Sequence, residues 1–513
     1  MAARVVVNAA EIVGPFPHFW EFGFGSERPF MVLREAILDH YRMGRDELGF
    51  RYVRAHGIFH DELGVYRLVD GKPVYGWRAV DAVYDRILAL GLRPFVELSF
   101  MPAALASGTQ SCFYWQGNVT PPRDWTQWGA LVEAFVRHLV ERYGLDEVRQ
   151  WYFEVWNEPN LRYFWAGSQE DYWRLYDWAA AAVKRVDVDL RVGGPATAAG
   201  AWVDAFVRHC LEGKNACTGG VGAPFDFVSY HGYPTDAGQV LDGEHVPFTR
   251  ETYWREMARR NARYVHEALR REAWGHERAG RGIEIHVTEW NSTAHLHDPE
   301  LDGSNQAAFI CRTVKDVAGY VDSFSFWTLS DIFEEGGWPE AEFHGGFGLV
   351  TVDGVCKPSF NAFRMLRRLG DRRLDVAVEG VPPGVDALAT AGPAPGTIQI
   401  LVWNHVLPAT EPATTTPEAV CVELHGAGGQ RFTLQQYLVD RDHSNAYTAW
   451  REMGSPPRPD ARQLAELKQR MELEQVRLER GLTAPAGGPL RLDVRLSPAS
   501  ATLVLLAASD VPS

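Results

Sequence analysis

The sequence predicts a (β/α)8 barrel of the TIM type with a C-terminal β-sandwich accessory domain. Three observations predict it. Between about residues 15 and 370, apolar strand-like runs alternate with amphipathic helical stretches. After Leu369-Gly370 the texture changes to short apolar runs separated by Gly-, Pro- and Thr-rich turns. A doubly wound open sheet is the competing arrangement, and it calls for a Gly-rich phosphate turn after an early strand; neither GxGxxG nor a P-loop pattern occurs.

The candidate barrel strands are Phe19–Phe24, Arg51–Ala55, Arg93–Leu98, Trp151–Trp156, Leu190–Gly193, Phe225–Tyr230, Ile283–Thr288 and Ser323–Thr328. Helical stretches lie between them, among them Asp81–Leu90, Trp125–Tyr143, Asp171–Val186 and Tyr253–Arg271. In Asp81–Leu90 the apolar Ala82, Val83, Ile87, Leu88 and Leu90 recur at helical spacing around polar Asp81, Asp85 and Arg86. Eight strands over roughly 350 residues is the count of an enlarged (β/α)8 barrel. In the second domain, Thr397–Val402, Ala419–Leu424, Phe432–Leu438 and Leu490–Val494 are strand-like, and the N-terminal Val5–Val7 run adds a strand to them. The expected domains are therefore 15–370 for the barrel and 1–14 plus 371–513 for the sandwich. One helix is inserted in the sandwich. Asp460, after the proline-rich stop at Ser455–Pro459, caps Ala461–Arg480, where Leu464, Leu467, Met471 and Leu478 fall at helical intervals. That stripe packs on one of the two domains or serves as a homo-oligomer contact.

The formal net charge of −15 argues against a nucleic-acid partner, whose phosphates need a Lys/Arg surface. It also disfavours anionic membranes. No stretch reaches the ~20 apolar residues that span a bilayer. The N-terminal residues have no apolar core of a signal peptide, and the six cysteines show no CxxC spacing; both point to the cytoplasm. The 18 Trp, 18 Tyr and 26 Phe mostly fill cores; whether some tryptophans form flat platforms for sugar rings is not decided by composition.

Two glutamates carry the chemistry. Glu158 lies in Trp151-Tyr-Phe-Glu-Val-Trp-Asn-Glu-Pro-Asn and Glu289 in Ile283-Glu-Ile-His-Val-Thr-Glu-Trp-Asn, each where an apolar strand stops. A carboxylate at the end of a buried strand is costly unless it faces a wet cleft or has partners. In a barrel, working residues collect at the carboxyl ends of the strands. Those ends supply His56, Glu97, Asn157, Glu158, His231, Tyr233, Glu289 and Trp327, with Glu334 and Glu335 just beyond. Acids, amides, imidazoles and aromatics in this combination suit a carbohydrate, and paired carboxyl groups suit glycoside hydrolysis.

The chain resembles glycoside hydrolase family 39, specifically its β-xylosidases. The resemblance is carried by Arg54-Ala-His-Gly, Arg93-Pro-Phe-Val-Glu-Leu-Ser-Phe-Met-Pro, Leu105-Ala-Ser-Gly-Thr-Gln and Phe113-Tyr-Trp-Gln-Gly-Asn-Val-Thr-Pro-Pro. It continues through Phe153-Glu-Val-Trp-Asn-Glu-Pro-Asn-Leu, His286-Val-Thr-Glu-Trp-Asn, Asp322-Ser-Phe-Ser-Phe-Trp-Thr and Phe343-His-Gly-Gly-Phe-Gly-Leu to Asp442-His-Ser-Asn-Ala-Tyr-Thr-Ala-Trp. Where the family most often has Glu-Tyr-Asn, this chain has Glu289-Trp290-Asn291. The resemblance implies a retaining double displacement with Glu158 as general acid/base and Glu289 as nucleophile. It implies that Asn157 donates to the 2-hydroxyl of the sugar, and that His56, His231, Tyr233, Phe164, Trp327, Glu334 and Glu335 surround it. Trp327 would then stack on the ring, and the two glutamates would accept from the 3- and 4-hydroxyls.

The implied activity is an exo-acting β-xylosidase that releases xylose from xylo-oligosaccharides or other β-xylosides, with no cofactor and no metal. α-L-Iduronidase is the main rival in the family, but it must bind a sugar carboxylate, and the pocket expected here is acidic at Glu334 and Glu335. Another pentosidase or a glucosidase differs by discriminations of only ~1–3 kcal/mol. A non-catalytic sugar-binding protein is disfavoured by both glutamates being present. Glu97 and Glu154 are expected to be scaffold paired with Arg54, while His56 and His231 are core histidines or sugar ligands. His295 and His297 belong to a polar loop rather than a metal site, and Glu334-Glu335 is either part of the site or an exposed acidic loop.

Overall fold

The structure, a computed structural model, describes residues 3–234, 240–241, 244–245, 257–273, 282–392, 394, 396–407 and 418–508. Its first strand, β1 (Arg4–Pro15), belongs to a second sheet. Eight parallel strands then close into a barrel in chain order: β2 (Gly23–Ser26), β3 (Tyr52–Ala55), β4 (Arg93–Leu98), β5 (Tyr152–Val155), β6 (Arg191–Ala198), β7 (Phe227–Gly232), β8 (Glu284–Trp290) and β9 (Ser323–Phe326). Helices α1 (Glu35–Met43), α2 (Arg78–Ala89), α3 (Trp125–Tyr143), α4 (Gln169–Val186), α5 (Val203–Glu212), α6 (Met257–Glu272), α7 (Ser304–Val317) and α8 (Pro358–Leu366) lie outside it. The expected segment Tyr253–Arg271 has its first four residues, 253–256, outside the described residues.

Two barrel strands differ from expectation for local reasons. Phe19–Glu21 is a 3-10 turn, and extended backbone begins only at Gly23. A turn buries Phe19 and Trp20 on one side, whereas a strand would send them to opposite faces. β6 runs on to Ala198, through a Gly193-Gly194-Pro195 stretch that reads as a turn. Gly193 is what permits β7 to approach: a Cβ there would lie 2.4 Å from the Phe227 carbonyl oxygen.

The second sheet contains β1, β10 (Arg372–Glu379), β11 (Val385–Ala391), β12 (Thr397–Asn404), β13 (Glu418–His425), β14 (Arg431–Val439), β15 (Glu474–Thr483), β16 (Leu490–Leu496) and β17 (Ser500–Ala508). Their spatial order is β15-β14-β17-β12-β11-β10-β1-β13-β16, with β1 antiparallel to β10 and parallel to β13. Val5, Val7, Ile400, Val402, Val422, Leu434, Leu492 and Val504 from across this order meet in one core, so the sheet curls into a sandwich. The alternate residues Leu401, Trp403 and Leu503 join the barrel's core instead. The period of two thus gives β12 and β17 two apolar faces, one for each domain.

Between β14 and β15 lie α9 (Ala446–Glu452) and α10 (Ala461–Arg470). Asp460 does cap α10, accepting from the backbone of Arg462 and Gln463 in a capping box with Gln463. The helix expected to reach Arg480 stops at Arg470, and 474–483 form the edge strand β15 paired with β14. There Val476 and Leu478 alternate with polar Gln475, Arg477 and Glu479, so tertiary pairing overrides a helical reading of the same leucines. The stripe of α10 is covered: Leu467 is fully buried, with Leu464 and Met471 beside it, against Phe343, Val355, Ala446 and Trp450. Phe343 belongs to the long loop that follows β9, so the accessory domain braces a loop of the barrel mouth.

Candidate active site

The core of the site is a buried arginine. Arg54, on β3, is 1% exposed and sends its guanidinium up the barrel axis into a ring of acids. Nε donates to Glu154 Oε2 at 2.6 Å and Nη1 to Glu289 Oε1 at 2.7 Å. Nη2 meets Glu97 Oε2 at 2.8 Å and Asn157 Oδ1 at 3.0 Å. Glu97 and Glu154 thus pair with Arg54 as scaffold, Glu154 accepting also from Thr288 at 2.9 Å and Glu97 from Ser99. A buried arginine with its donors saturated is fixed in direction. It orients the side-chain amide of Asn157 and one oxygen of Glu289 together.

Glu158 is delivered by a strained turn. β5 ends at Val155, Trp156 has φ +73° and Glu158 φ +41°. Non-glycine residues in that region persist only where the surroundings hold them. Here the Glu158 N–H donates to the Ala196 carbonyl at 2.9 Å, and the Asn160 side chain accepts from the Ala198 N–H at 3.0 Å. The turn is thereby stitched to the end of β6. In the parallel register, Ala198 stands beside His231 of β7, and His231 beside Glu289 of β8.

That register gathers the two strand-end glutamates and His231. One carboxyl oxygen each of Glu158 and Glu289 and a ring nitrogen of His231 all lie within 4.8 Å of one another. His231 Nδ1 is 2.8 Å from Glu158 Oε1 and 3.5 Å from Glu289 Oε2. The Tyr233 hydroxyl donates to Glu289 Oε2 at 2.7 Å. His56 bonds Glu97 through Nδ1 at 2.7 Å and points Nε2 at Glu289 Oε1 and Glu335 Oε1, 3.6 Å from each. Burial pushes the Glu289 carboxyl up; Arg54, His56 and the Tyr233 hydroxyl oppose it. Burial, with Arg54 and His56 as positive neighbours, pulls His231 well below the ordinary histidine range, so its ring is neutral. The trio is the one cluster among the described residues with metal-ligand spacing. A cation there would share Glu289 with the Arg54 guanidinium, so the donor set suits a proton better than a metal ion.

The remaining predicted residues line the same mouth. Trp327 is 3% exposed and tilts against the His56 ring, centroids 4.7 Å apart. It lies directly over Gly25, where a Cβ would come within 2.2 Å of its ring. Phe164 packs on Phe113 at 5.4 Å, and Phe113 stacks on His56 at 5.6 Å and 24°. Glu335 is largely covered, its side chain 11% exposed, rather than part of an exposed acidic loop, and its Oε1 has no hydrogen-bond partner among the described residues. Burial first, then the charges of Glu27, Glu289, Glu158 and Glu97, push its carboxyl well up. Glu334 faces differently. It accepts from Arg28 at 2.8 Å and pairs with Arg34 at 2.5 Å, so its charge is met by two arginines and held low. The acidity expected of this corner is therefore largely neutralised. His297 lies in a loop bonded through its backbone to Gly345.

Arg28 and Glu27 are the residues that sequence reasoning missed. Arg28 also binds Glu27 at 2.6 Å and Glu62 at 3.0 Å, with Trp115 below its guanidinium at 5.4 Å. Their signal was available: Glu27-Arg28 directly follows the buried strand Gly23–Ser26, a barrel strand end where the rule of working residues at strand ends also applies.

Paired carboxyl groups at this separation, at the carboxyl ends of barrel strands and ringed by hydrogen-bonding and aromatic side chains, define the site of a glycoside hydrolase. Comparison with known proteins agrees. The sequence profile of Glycosyl hydrolases family 39 matches residues 3–489, and the chain belongs to that family. It is 38% identical over 482 residues to a β-xylosidase of Caldicellulosiruptor saccharolyticus, covering 93% of each. The crystal structure of a monomeric β-xylosidase from Caulobacter crescentus CB15 superposes with a TM-score of 0.83 at 34% identity, over 98% of this chain and 99% of that one. The family 39 enzyme from Xanthomonas axonopodis pv. citri gives a TM-score of 0.85 at 32% identity over 99% and 98%. The similarity to human α-L-iduronidase is 28% over 245 residues, 44% of this chain and 35% of that one. No described helix is long and apolar enough to cross a membrane.

Proposed function

We propose that this glycoside hydrolase is a retaining, exo-acting β-xylosidase that releases xylose from xylo-oligosaccharides or other β-xylosides, with Glu289 as nucleophile and Glu158 as acid/base. The observation that carries the mechanism is the 4.8 Å grouping of Glu158, His231 and Glu289. Retaining enzymes hold their two carboxyl groups ~5–5.5 Å apart, and inverting enzymes ~6.5–9.5 Å, leaving room for a water. Glu289, with Arg54 on one oxygen and Tyr233 on the other, is the carboxyl whose charge has partners. It attacks the anomeric carbon while Glu158 passes its proton to the leaving oxygen. Once Glu289 is a neutral ester, the repulsion between the two acids is gone, and Glu158 accepts the proton of the incoming water.

Neutral His231 touches both carboxyl groups and keeps the acid/base carboxyl aligned through both half-reactions. Arg54 holds the Asn157 side-chain oxygen, leaving the amide N–H groups to face the 2-hydroxyl, a contact that strengthens in the transition state. Trp327 and His56 wall the sugar ring, and Glu335, whose Oε1 has no hydrogen-bond partner among the described residues, offers that oxygen to a sugar hydroxyl.

The xylose preference is supported by the β-xylosidase relatives, which match nearly the whole chain at 38% identity, whereas the sequence likeness to human α-L-iduronidase spans less than half of it at 28%. Arg28 and Arg34 stand near the pocket, but both are committed to Glu334, and Arg28 to Glu27 and Glu62 as well. A sugar carboxylate would have to displace those pairs. Turnover of a panel of aryl glycosides tests the sugar: β-xyloside should lead, and equal or faster turnover of glucoside or iduronide would reject the assignment. Glu289→Ala with azide should give the inverted glycosyl azide, and Glu158→Ala with azide the retained one.

A further inference from the structure

Among the described residues only three aromatic side chains are more than half exposed: Tyr114 at 72%, Tyr163 at 54% and Trp338 at 52%. All three stand on loops of the barrel mouth. Tyr163 lies in the turn that follows Glu158, in which the Leu161 N–H donates to the Glu158 carbonyl at 2.9 Å. Tyr114 is at the tip of the small hairpin Ser111–Asn118, and its N–H donates to the Glu335 carbonyl at 2.8 Å. Trp338 follows Glu335 by three residues and lies against Arg34. Exposed apolar surface gathered at one place marks a binding site more often than chance scatter does.

The surface is continuous with the reacting centre. His56, 3.6 Å from Glu289, is stacked by Phe113, and Phe113 is met edge-on by Tyr163 at 5.9 Å and 82°. The Tyr163 hydroxyl accepts from the Phe113 N–H at 2.8 Å, which fixes the ring and leaves its own hydrogen to donate outward. One aromatic wall therefore climbs from the nucleophile to solvent, beside the turn that carries Glu158.

A general acid protonates the oxygen of the departing group, so that group leaves on the acid's side of the site. We propose that Tyr163, packed edge-on against Phe113, and Tyr114, the residue that follows Phe113, form the subsite for the departing unit: the second, β-linked xylose of a xylo-oligosaccharide. A xylopyranose has all its hydroxyls equatorial, so each face shows C–H bonds that suit the flat ring of a tyrosine. This subsite rests on Glu158 being the acid, and it assigns to tyrosines the platform role that composition left undecided for tryptophans.

The test compares kcat/KM on xylobiose with kcat/KM on β-xylosyl fluoride, whose leaving group is too small to reach the platform. Tyr163→Ala should lower the xylobiose-to-fluoride ratio about tenfold, Tyr114→Ala should lower it in the same direction, and Tyr163→Phe should restore most of the loss. A ratio depends on active enzyme alone, so partial misfolding cannot imitate the result. An unchanged ratio in Tyr163→Ala, or a loss in Tyr163→Phe as large as in Tyr163→Ala, overturns the proposal. If the protein prefers another sugar, the xylose assignment falls, and the same ratio with that sugar's disaccharide and fluoride still decides the platform. If Glu158→Ala fails to spare the fluoride, the acid assignment falls on its own evidence.

Discussion

Replacing Tyr233 by Phe removes one hydroxyl and nothing else. The ring is 3% exposed and packs with Leu301, Trp327, Phe333 and Phe347, so the hydrophobic contacts stay. What is lost is the 2.7 Å hydrogen bond to Glu289 Oε2. A hydrogen bond to a charged group is worth about 1.5–3 kcal/mol, and one pKa unit corresponds to ~1.36 kcal/mol. The hydroxyl donates to the ionised carboxylate, so it stabilises the charged form and holds the carboxyl down against burial. Its loss must raise the Glu289 pKa. The proposed nucleophile must be ionised in the free enzyme, so the acid limb of kcat/KM against pH should move to higher pH. An aryl β-xyloside assayed from pH 4 to 9 reads this directly, with a thermal melt to show that folding is intact. An acid limb that stays put, or an alkaline limb that moves instead, would refute the role given to this contact and with it the placing of the charge on Glu289.

Glu158→Ala should cut xylobiose turnover by about 10²–10⁴ while an activated aryl leaving group is still released, and steady-state rates on the two substrates check it. Glu27 is buried and its carboxyl is raised to about 7, burial outweighing Arg28, so the folded protein keeps a proton that the unfolded chain releases above its ordinary 4.5. The wild-type protein should therefore lose stability as pH rises from about 4.5 to about 7, and the melting temperature of Glu27→Gln relative to wild type should climb over that window. A relative melting temperature that falls instead would mean that the Arg28 pair dominates. Gly25→Ala puts a methyl 2.2 Å from the Trp327 ring, so the indole must shift; about 1–3 kcal/mol of stability and a raised KM are expected from denaturant melts and kinetics.

Much of the barrel was legible because its signal is local. β4 and α3 fall on their predicted residues, since an apolar run or a helical stripe in a buried layer needs no knowledge of partners. Elements that depend on partners were harder. β15 shares its leucine spacing with a helix and is a strand only because β14 lies alongside it. β10, β11 and β17 were harder too: Leu374, Val376 and Val378 of β10 do alternate with Asp375, Ala377 and Glu379, but the strands that pair with them lie far away in the chain or across a turn. In the site, the strand-end rule found the acids, imidazoles and aromatics. It could not say that Arg54 reaches Glu289 as well as its scaffold acids, or that Glu334 turns to two arginines while Glu335 turns inward. Those are choices of side-chain direction in a crowded interior, set by which positive charge lies within reach.

The position of β1 has a consequence for how the molecule can be made and cut. Its two neighbours, Arg372–Glu379 and Glu418–His425, come from the far end of the chain. As the protein leaves the ribosome, Arg4–Pro15 must wait unpaired until the whole barrel has been synthesised. A truncated product ending near residue 370 would keep that wait indefinitely, with Val5 and Val7 uncovered on a strand open along both edges, an invitation to self-association. Minimal catalytic fragments of this protein should accordingly omit the first fourteen residues along with residues 371–513, or retain both.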